Sequence, residues 1–192
     1  MPKNVEKMTT NYSPNFNLRK RSIKVIKYII FHYTGMKSDR SAISKLTDFN
    51  SKVSCHYYIG KNGNLIQMVP DLYVAWHAGK SYWKKDKLLN DSSIGIEISN
   101  PGHLHGYIAF NKKQIKCLIK ISKKLIKKYR IKKQNILGHS DIAPLRKKDP
   151  GEKFPWKFLA NKKIGVWHNL NYKRCKKLRG KQNNIENKFF FK

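Results

Sequence analysis

The sequence is poor in acidic residues and in cysteine. Its 192 residues include 11 Asp and Glu against 42 Lys and Arg, which gives a formal net charge of +31. Three cysteines, Cys55, Cys117 and Cys175, are too few for a disulfide scaffold, and their odd number leaves one over in any intramolecular pairing scheme. The cysteine content therefore favours a reducing compartment.

Long apolar runs are also missing. No stretch approaches the ~20 apolar residues of a membrane-spanning helix. The segment from Met1 to Thr10 carries charge but lacks the apolar region of a secretory signal peptide. We therefore expect no membrane span and a cytoplasmic location, with the periplasm as the alternative.

The patterns that are present predict an α/β fold. Val25 to His32 and Ile94 to Ile98 have the length and β-branched content of buried strands. Asn62-Gly63 is a hairpin signal, because both residues tolerate positive φ. We expect one domain with a central mixed β-sheet flanked by helices, and a catalytic site at one end of that sheet.

The clearest helix begins at Asn111, which forms a capping-box pattern with Gln114 three residues later. Its predicted apolar face comprises Ile115, Leu118, Ile119, Leu125, Ile126 and Tyr129. We divide the whole chain into three regions. They are an extended N-terminal arm at residues 1–20, the main domain at residues 21–168, which contains this helix, and a basic, weakly structured tail at residues 169–192.

Two histidines and a carboxylate are candidates for chemistry. His32 ends a predicted strand, and the loop from Gly138 to Gly151 contains His139, Lys147 and Asp149. Two imidazoles and one carboxylate form a common catalytic zinc set, which leaves the fourth tetrahedral position for water. Taken singly, a histidine at a strand end fits an ordinary buried polar group, and the loop fits a turn-rich connection.

Four segments, in order, resemble one family. They read Y-I-I-F-H-Y-T, Y-V-A-W-H-A-G, S-I-G-I-E-I-S-N-P-G-H and G-H-S-D-I-A-P-L-R-K-K-D-P-G-E-K-F-P-W, within a region from about Val25 to Trp167. They resemble the zinc-dependent N-acetylmuramoyl-L-alanine amidases of the AmpD-like type, a group that includes peptidoglycan recognition proteins. The resemblance implies hydrolysis of the amide between the lactyl group of N-acetylmuramic acid and L-alanine of the stem peptide.

The resemblance also implies roles for individual residues. The implied ligands of one zinc ion are His32, His139 and Asp149. Glu97 matches the family's general base or water-orienting carboxylate, and Lys147 matches the residue that stabilises the oxyanion. The implied substrate contacts are Trp76, His77 and Asn100, although a Trp-His pair fits an ordinary core contact equally well. Cys55 departs from relatives that carry a catalytic tyrosine before the histidine, and we interpret it as an inert buried thiol.

The charge leaves other functions open. Between Asn111 and Lys133 there are eleven Lys or Arg residues and no Asp or Glu, so a basic nucleic-acid-binding protein is one alternative. No recognition motif accompanies this stretch, and we expect no specific nucleic-acid partner. Anionic peptidoglycan fragments, in particular 1,6-anhydro-muropeptides released during wall recycling, are the expected partners of a monomer. A non-catalytic peptidoglycan-binding module is the second alternative.

Overall fold

A six-stranded mixed sheet lies at the centre of the computed structural model, which describes residues 8–171 together with 173, 174 and 177. In chain order the strands are β1 (Thr9–Thr10), β2 (Phe16–Asn17), β3 (Tyr28–Tyr33), β4 (Tyr57–Ile59), β5 (Leu65–Gln67), β6 (Val74–Ala75), β7 (Tyr82–Trp83), β8 (Asp86–Lys87), β9 (Ser93–Ile98) and β10 (Ile136–Gly138). The α-helices are α1 (Asp39–Thr47), α2 (Lys112–Tyr129), α3 (His139–Ile142) and α4 (Trp156–Asn161).

The sheet has the order β1-β5-β4-β9-β3-β10. Strand β3 is parallel to both of its neighbours, and β4 is parallel to β9, whereas β4 and β5 form the antiparallel hairpin predicted from Asn62-Gly63. The predicted mixed sheet with flanking helices is confirmed. Because the three parallel central strands and β10 end at the same edge, polar residues at their carboxyl ends lie close together.

Side-chain alternation gives the sheet one face that packs against α2 and an opposite face that carries His32 and Glu97. Ile29 and Phe31 of β3 lie in the same buried cluster as Leu118 of α2. Successive side chains of a strand point to opposite faces, so His32 projects away from α2. Its register partner on β9 is Glu97, which projects from that face as well.

Helix α2 covers the core face. Its capping box is present, because the Asn111 side chain accepts a hydrogen bond from the Gln114 amide at 3.0 Å and the Gln114 side chain accepts one from the Asn111 amide at 3.1 Å. Of the predicted apolar face, Ile119 and Ile126 are only partly buried, while Cys117 and Ile121 are buried without having been predicted. No helix within the described residues has both the length and the hydrophobicity needed to cross a bilayer.

A buried carboxylate joins α2 to the sheet. Asp71 accepts hydrogen bonds from Tyr57 and Tyr129, each at 2.5 Å, and from Lys128 at 2.8 Å. Burial alone would raise the pKa of Asp71, but these three donors outweigh burial and lower it. The ionised carboxylate is therefore the form that stabilises this contact.

The segment predicted as an N-terminal arm pairs with the domain. Strand β1 adds to the sheet beside β5, and β2 pairs with β6. Between these two strands, the Asn15 amide donates to the carbonyl oxygens of Asp48 at 2.8 Å and Val53 at 2.9 Å. Residues 8–17 are therefore hydrogen-bonded to the sheet and to the loop after α1.

Two regions differ from the sequence prediction. The loop predicted from Gly138 to Gly151 begins with the short helix α3, in which the Asp141 carboxylate accepts a hydrogen bond from the Gly138 amide. Residues 70–91 have no apolar periodicity that predicts strands, yet they contain the short strands β6, β7 and β8. Most of the tail predicted at residues 169–192, including Cys175, lies outside the described residues.

Candidate metal centre

Three buried side chains meet at the carboxyl ends of β3 and β10. His32 is the penultimate residue of β3, His139 is the first residue of α3 directly after β10, and Asp149 lies in the following loop. The Nδ1 atoms of the two histidines are 2.9 Å apart, and each is 3.0 Å from Asp149 Oδ2. The chain thus brings together the three residues predicted as metal ligands.

The donor set fits a divalent cation of the zinc type. Tetrahedral coordination with bonds of ~2.0–2.1 Å places ligand atoms ~3.3 Å apart, close to the observed separations. Burial, followed by the neighbouring His139, lowers the pKa of His32 to about 4, so its imidazole is neutral at physiological pH. Burial alone would raise the pKa of Asp149, but the two adjacent histidines outweigh burial and hold it well below its usual range. A neutral imidazole beside an ionised carboxylate is what metal coordination requires.

The other ring nitrogen of each histidine has a specific neighbour. His139 Nε2 lies 3.1 Å from the carbonyl oxygen of Ala78, and His32 Nε2 lies 3.0 Å from Nδ1 of His77. Because a carbonyl oxygen only accepts, His139 carries its proton on Nε2 and directs the Nδ1 lone pair towards Asp149. Arg146 donates a second hydrogen bond to the same carbonyl of Ala78.

Glu97 stands beside this triad on β9. Its Oε2 atom is buried and has no hydrogen-bond partner among the described residues. Burial, reinforced by the charge of Asp149, raises the pKa of Glu97 to about 8, whereas the charge of Lys147 opposes the rise. A buried carboxyl with a pKa near neutrality and an unused oxygen is suited to accept and return a proton.

His139, Asp149 and Glu97 line one cleft with a volume of about 460 Å³, and His32 lies buried against the first two. Basic side chains surround the cleft, namely Lys45, Arg146, Lys147 and Lys148. On the rim stands Leu104, which is 91% exposed, next to His103, whose ring bonds Tyr33 at 2.9 Å and Glu152 at 3.0 Å. A cleft of this composition fits a ligand that combines carboxylates with some apolar surface.

The expected substrate contacts occupy different positions. Trp76 lines the cleft, and its indole donates to Asn17 at 2.7 Å. His77 also lines the cleft, is 8% exposed, and contacts His32 through its Nδ1 atom. Asn100 is 2% exposed and is not among the described residues that line the cleft. Its side-chain amide donates to the carbonyl of Ile108 and accepts from the backbone amide of Gly102, so it stabilises the loop between these two residues.

Sequence reasoning did not single out Arg146 or Ser93. Arg146 is one of several basic residues in its loop, and no local pattern distinguishes it from Lys148. Ser93 opens β9 and contacts the His77 ring, a contact between segments that are 16 residues apart. Cys55 is buried, and its thiol lies 3.8 Å from the sulfur of Met68, with its pKa raised by burial.

The N-acetylmuramoyl-L-alanine amidase family matches residues 22–152, which contain the whole triad, Glu97 and Lys147. The chain belongs to this amidase family. It is 42% identical over 154 residues to the N-acetylmuramoyl-L-alanine amidase AmiD of Escherichia coli, covering 74% of this chain and 55% of that protein. It is 30% identical over 170 residues to the 1,6-anhydro-N-acetylmuramyl-L-alanine amidase AmpD of Haemophilus influenzae, covering 79% of this chain and 90% of that protein.

Solved amidase structures share the fold. The complex of Escherichia coli AmiD with anhydro-N-acetylmuramic acid-L-Ala-D-gamma-Glu-L-Lys superimposes with a TM-score of 0.70 at 39% identity. That match covers 79% of this chain and 62% of the other. This amidase chain thus spans little more than half the length of some curated relatives that it matches, including the AmiD and AmpD proteins of Escherichia coli.

Proposed function

We propose that this amidase domain hydrolyses the bond between the lactyl carbonyl of N-acetylmuramic acid and L-alanine of the stem peptide. The observation that carries the proposal is the convergence of His32, His139 and Asp149, the last two of which line a basic cleft together with Glu97. Support also comes from the substrate named in the complex of the similar AmiD enzyme.

In this proposal, His32, His139 and Asp149 hold one zinc ion. When bound, zinc would polarise the amide carbonyl and make water acidic enough to serve as a nucleophile near neutral pH. The triad is suited to this because all three ligand atoms are buried and face one another.

The protein's own groups would carry the protons and the charge. Glu97 would take a proton from the attacking water and return it to the nitrogen of the departing L-alanine. The ammonium group of Lys147, on the wall of the same cleft, would stabilise the negative charge that develops on the carbonyl oxygen. Lys45 and Lys148 would attract the carboxylates of the peptide.

We further propose that the substrate is a soluble 1,6-anhydro-muropeptide and that the reaction takes place in the cytoplasm. The anhydro sugar appears in the names of several relatives, which supports this choice. Offering anhydro-muropeptide and intact sacculi in competition reports the ratio of kcat/KM values. A preference for sacculi would reverse the choice of substrate and favour a periplasmic role.

The activity is tested with zinc-loaded protein and purified anhydro-muropeptide, following free stem peptide by mass spectrometry. We expect release by the wild type, and turnover lowered by ~10²–10⁴ in Glu97→Gln with zinc retained. His139→Ala is expected to lose zinc while the circular dichroism spectrum is preserved. A folded, zinc-loaded wild type that binds the substrate without cleaving it would identify a binding module instead.

A further inference from the structure

His77 lies directly behind a metal ligand without belonging to the triad. Its ring packs edge-on against His32, with centroids 5.1 Å apart and an interplanar angle of 80°. His77 Nδ1 is 3.0 Å from His32 Nε2, and His77 Nε2 is 3.1 Å from Ser93 Oγ. Ser93 Oγ in turn is 2.5 Å from the carbonyl oxygen of Leu89.

The Leu89 carbonyl, at the end of this series of hydrogen bonds, fixes the direction of every bond in the series. A carbonyl oxygen only accepts, so the Ser93 hydroxyl donates to Leu89. The Ser93 oxygen then accepts from His77 Nε2–H, which leaves His77 Nδ1 as an acceptor. His32 therefore donates from Nε2–H, and its Nδ1 keeps a lone pair directed at His139 and Asp149.

The structure also holds the His77 ring in place. Gly95 lies under it, and a Cβ at that position would stand 2.4 Å from His77 Cγ, so the ring needs a residue without a side chain there. The Asn90 side chain accepts from the backbone amides of His77 at 3.0 Å and Ala78 at 2.7 Å. One dipeptide therefore supports both imidazoles, His32 through the His77 ring and His139 through the Ala78 carbonyl.

We propose that His77 is a positioning residue for the metal centre: together with Ser93 and the Leu89 carbonyl, it holds His32 in the Nε2–H tautomer with Nδ1 towards the metal. This inference rests on the proposed zinc site. It gives His77, which also lines the cleft, a role in orienting His32 that is separate from the substrate contact implied by the resemblance. Outer hydrogen-bond partners of this kind typically change metal affinity by ~10–100-fold when removed.

A matched pair of variants tests the proposal. His77→Asn keeps an acceptor on the atom attached to Cγ, whereas His77→Leu has nearly the same branched shape and no acceptor. Zinc affinity is measured by competition with a chromophoric chelator, and the His32 tautomer in the zinc-free protein by long-range ¹H–¹⁵N NMR. We expect the Asn variant to stay close to the wild type and the Leu variant to bind zinc ~10–100-fold more weakly, with His32 no longer held as Nε2–H.

Equal zinc affinities in the wild type and both variants, or an unchanged His32 tautomer in His77→Leu, would overturn the proposal. If the Leu variant does not fold, Ser93→Ala removes only the hydroxyl that accepts from His77, and we expect a smaller loss of zinc affinity. Unchanged zinc affinity in Ser93→Ala would equally count against the positioning role of His77. A folded wild type that binds no zinc would refute the metal centre itself, so the two failures are distinguishable.

Discussion

Replacing Glu97 by glutamine should stabilise the metal-free protein, and the gain should grow as the pH rises. The folded state raises the pKa of this carboxyl from its ordinary 4.5 to about 8, because burial and Asp149 disfavour the charged form. Between these two values the folded protein retains a proton that the unfolded chain has released. Stability is therefore lost as the pH rises through this interval, and glutamine removes that loss.

The size of the effect follows from the width of the interval. Each pH unit between the two pKa values costs about 1.4 kcal/mol. The cost therefore accumulates to about 3 kcal/mol by pH 7 for a fully dehydrated carboxyl. Glu97 is only partly buried as a whole residue, and solvent screening therefore reduces the penalty. We expect about 2 kcal/mol at pH 7 and almost no pH-dependent difference at pH 4.5.

Urea unfolding of both proteins at several pH values, with a chelator present, measures this difference. Any pH-independent effect of the amide shifts the whole curve and cancels in the comparison. Parallel stability curves between pH 5 and 8 would refute the reasoning. A variant that is more stable but inactive would show that the protein gives up stability to keep a carboxyl in a dehydrated position.

Three further predictions concern neighbouring groups. Asp71→Asn should lower the free energy of unfolding by ~1–3 kcal/mol at neutral pH. Because the pKa of Asp71 is lowered in the folded state, the stabilisation from its carboxylate is lost in acid, and the free energies of unfolding of the variant and the wild type should converge. Chemical unfolding below pH 4 measures this convergence, and a constant difference would contradict the assignment. Gly95→Ala should displace the His77 ring, costing ~1–3 kcal/mol of stability, and weaken zinc binding in the chelator competition, whereas unchanged zinc affinity would argue that the ring position is unimportant. Lys147→Met should lower kcat by ~10²–10³ with zinc retained. It should also move the acidic limb of the pH–rate profile to higher pH, because the charge of Lys147 lowers the pKa of Glu97. An acidic limb at the wild-type pH would show that Lys147 does not influence the titration of Glu97.

The elements with regular periodicity could be predicted from the sequence. Strand β3, the hairpin and α2 with its capping box lie within a few residues of their expected positions, because their apolar spacing reflects burial directly. The convergence of His32, His139 and Asp149 was implied by the family resemblance, and the geometry agrees with it.

Other features depended on contacts that no local pattern encodes. Residues 70–91 lack periodicity, so nothing in that segment showed that His77 would lie behind His32. Asn100 follows β9 closely in sequence, yet its side-chain oxygen accepts a hydrogen bond from the Gly102 amide and is used within that turn. Helix α3 is only four residues long, too short for apolar repetition to reveal it.

The hydrogen bonds of Asn15 connect the segment before β2 to the wall of the cleft. Its amide holds the carbonyl of Val53, and Val53 lines the cleft. A shortened chain starting at residue 21 would lose this support of the cleft wall at Val53 while keeping His32, Glu97, His139 and Asp149. Tolerance to trimming is set by what the backbone and side chains bond to. Asn15 thus supports the cleft wall at Val53 from outside the cleft.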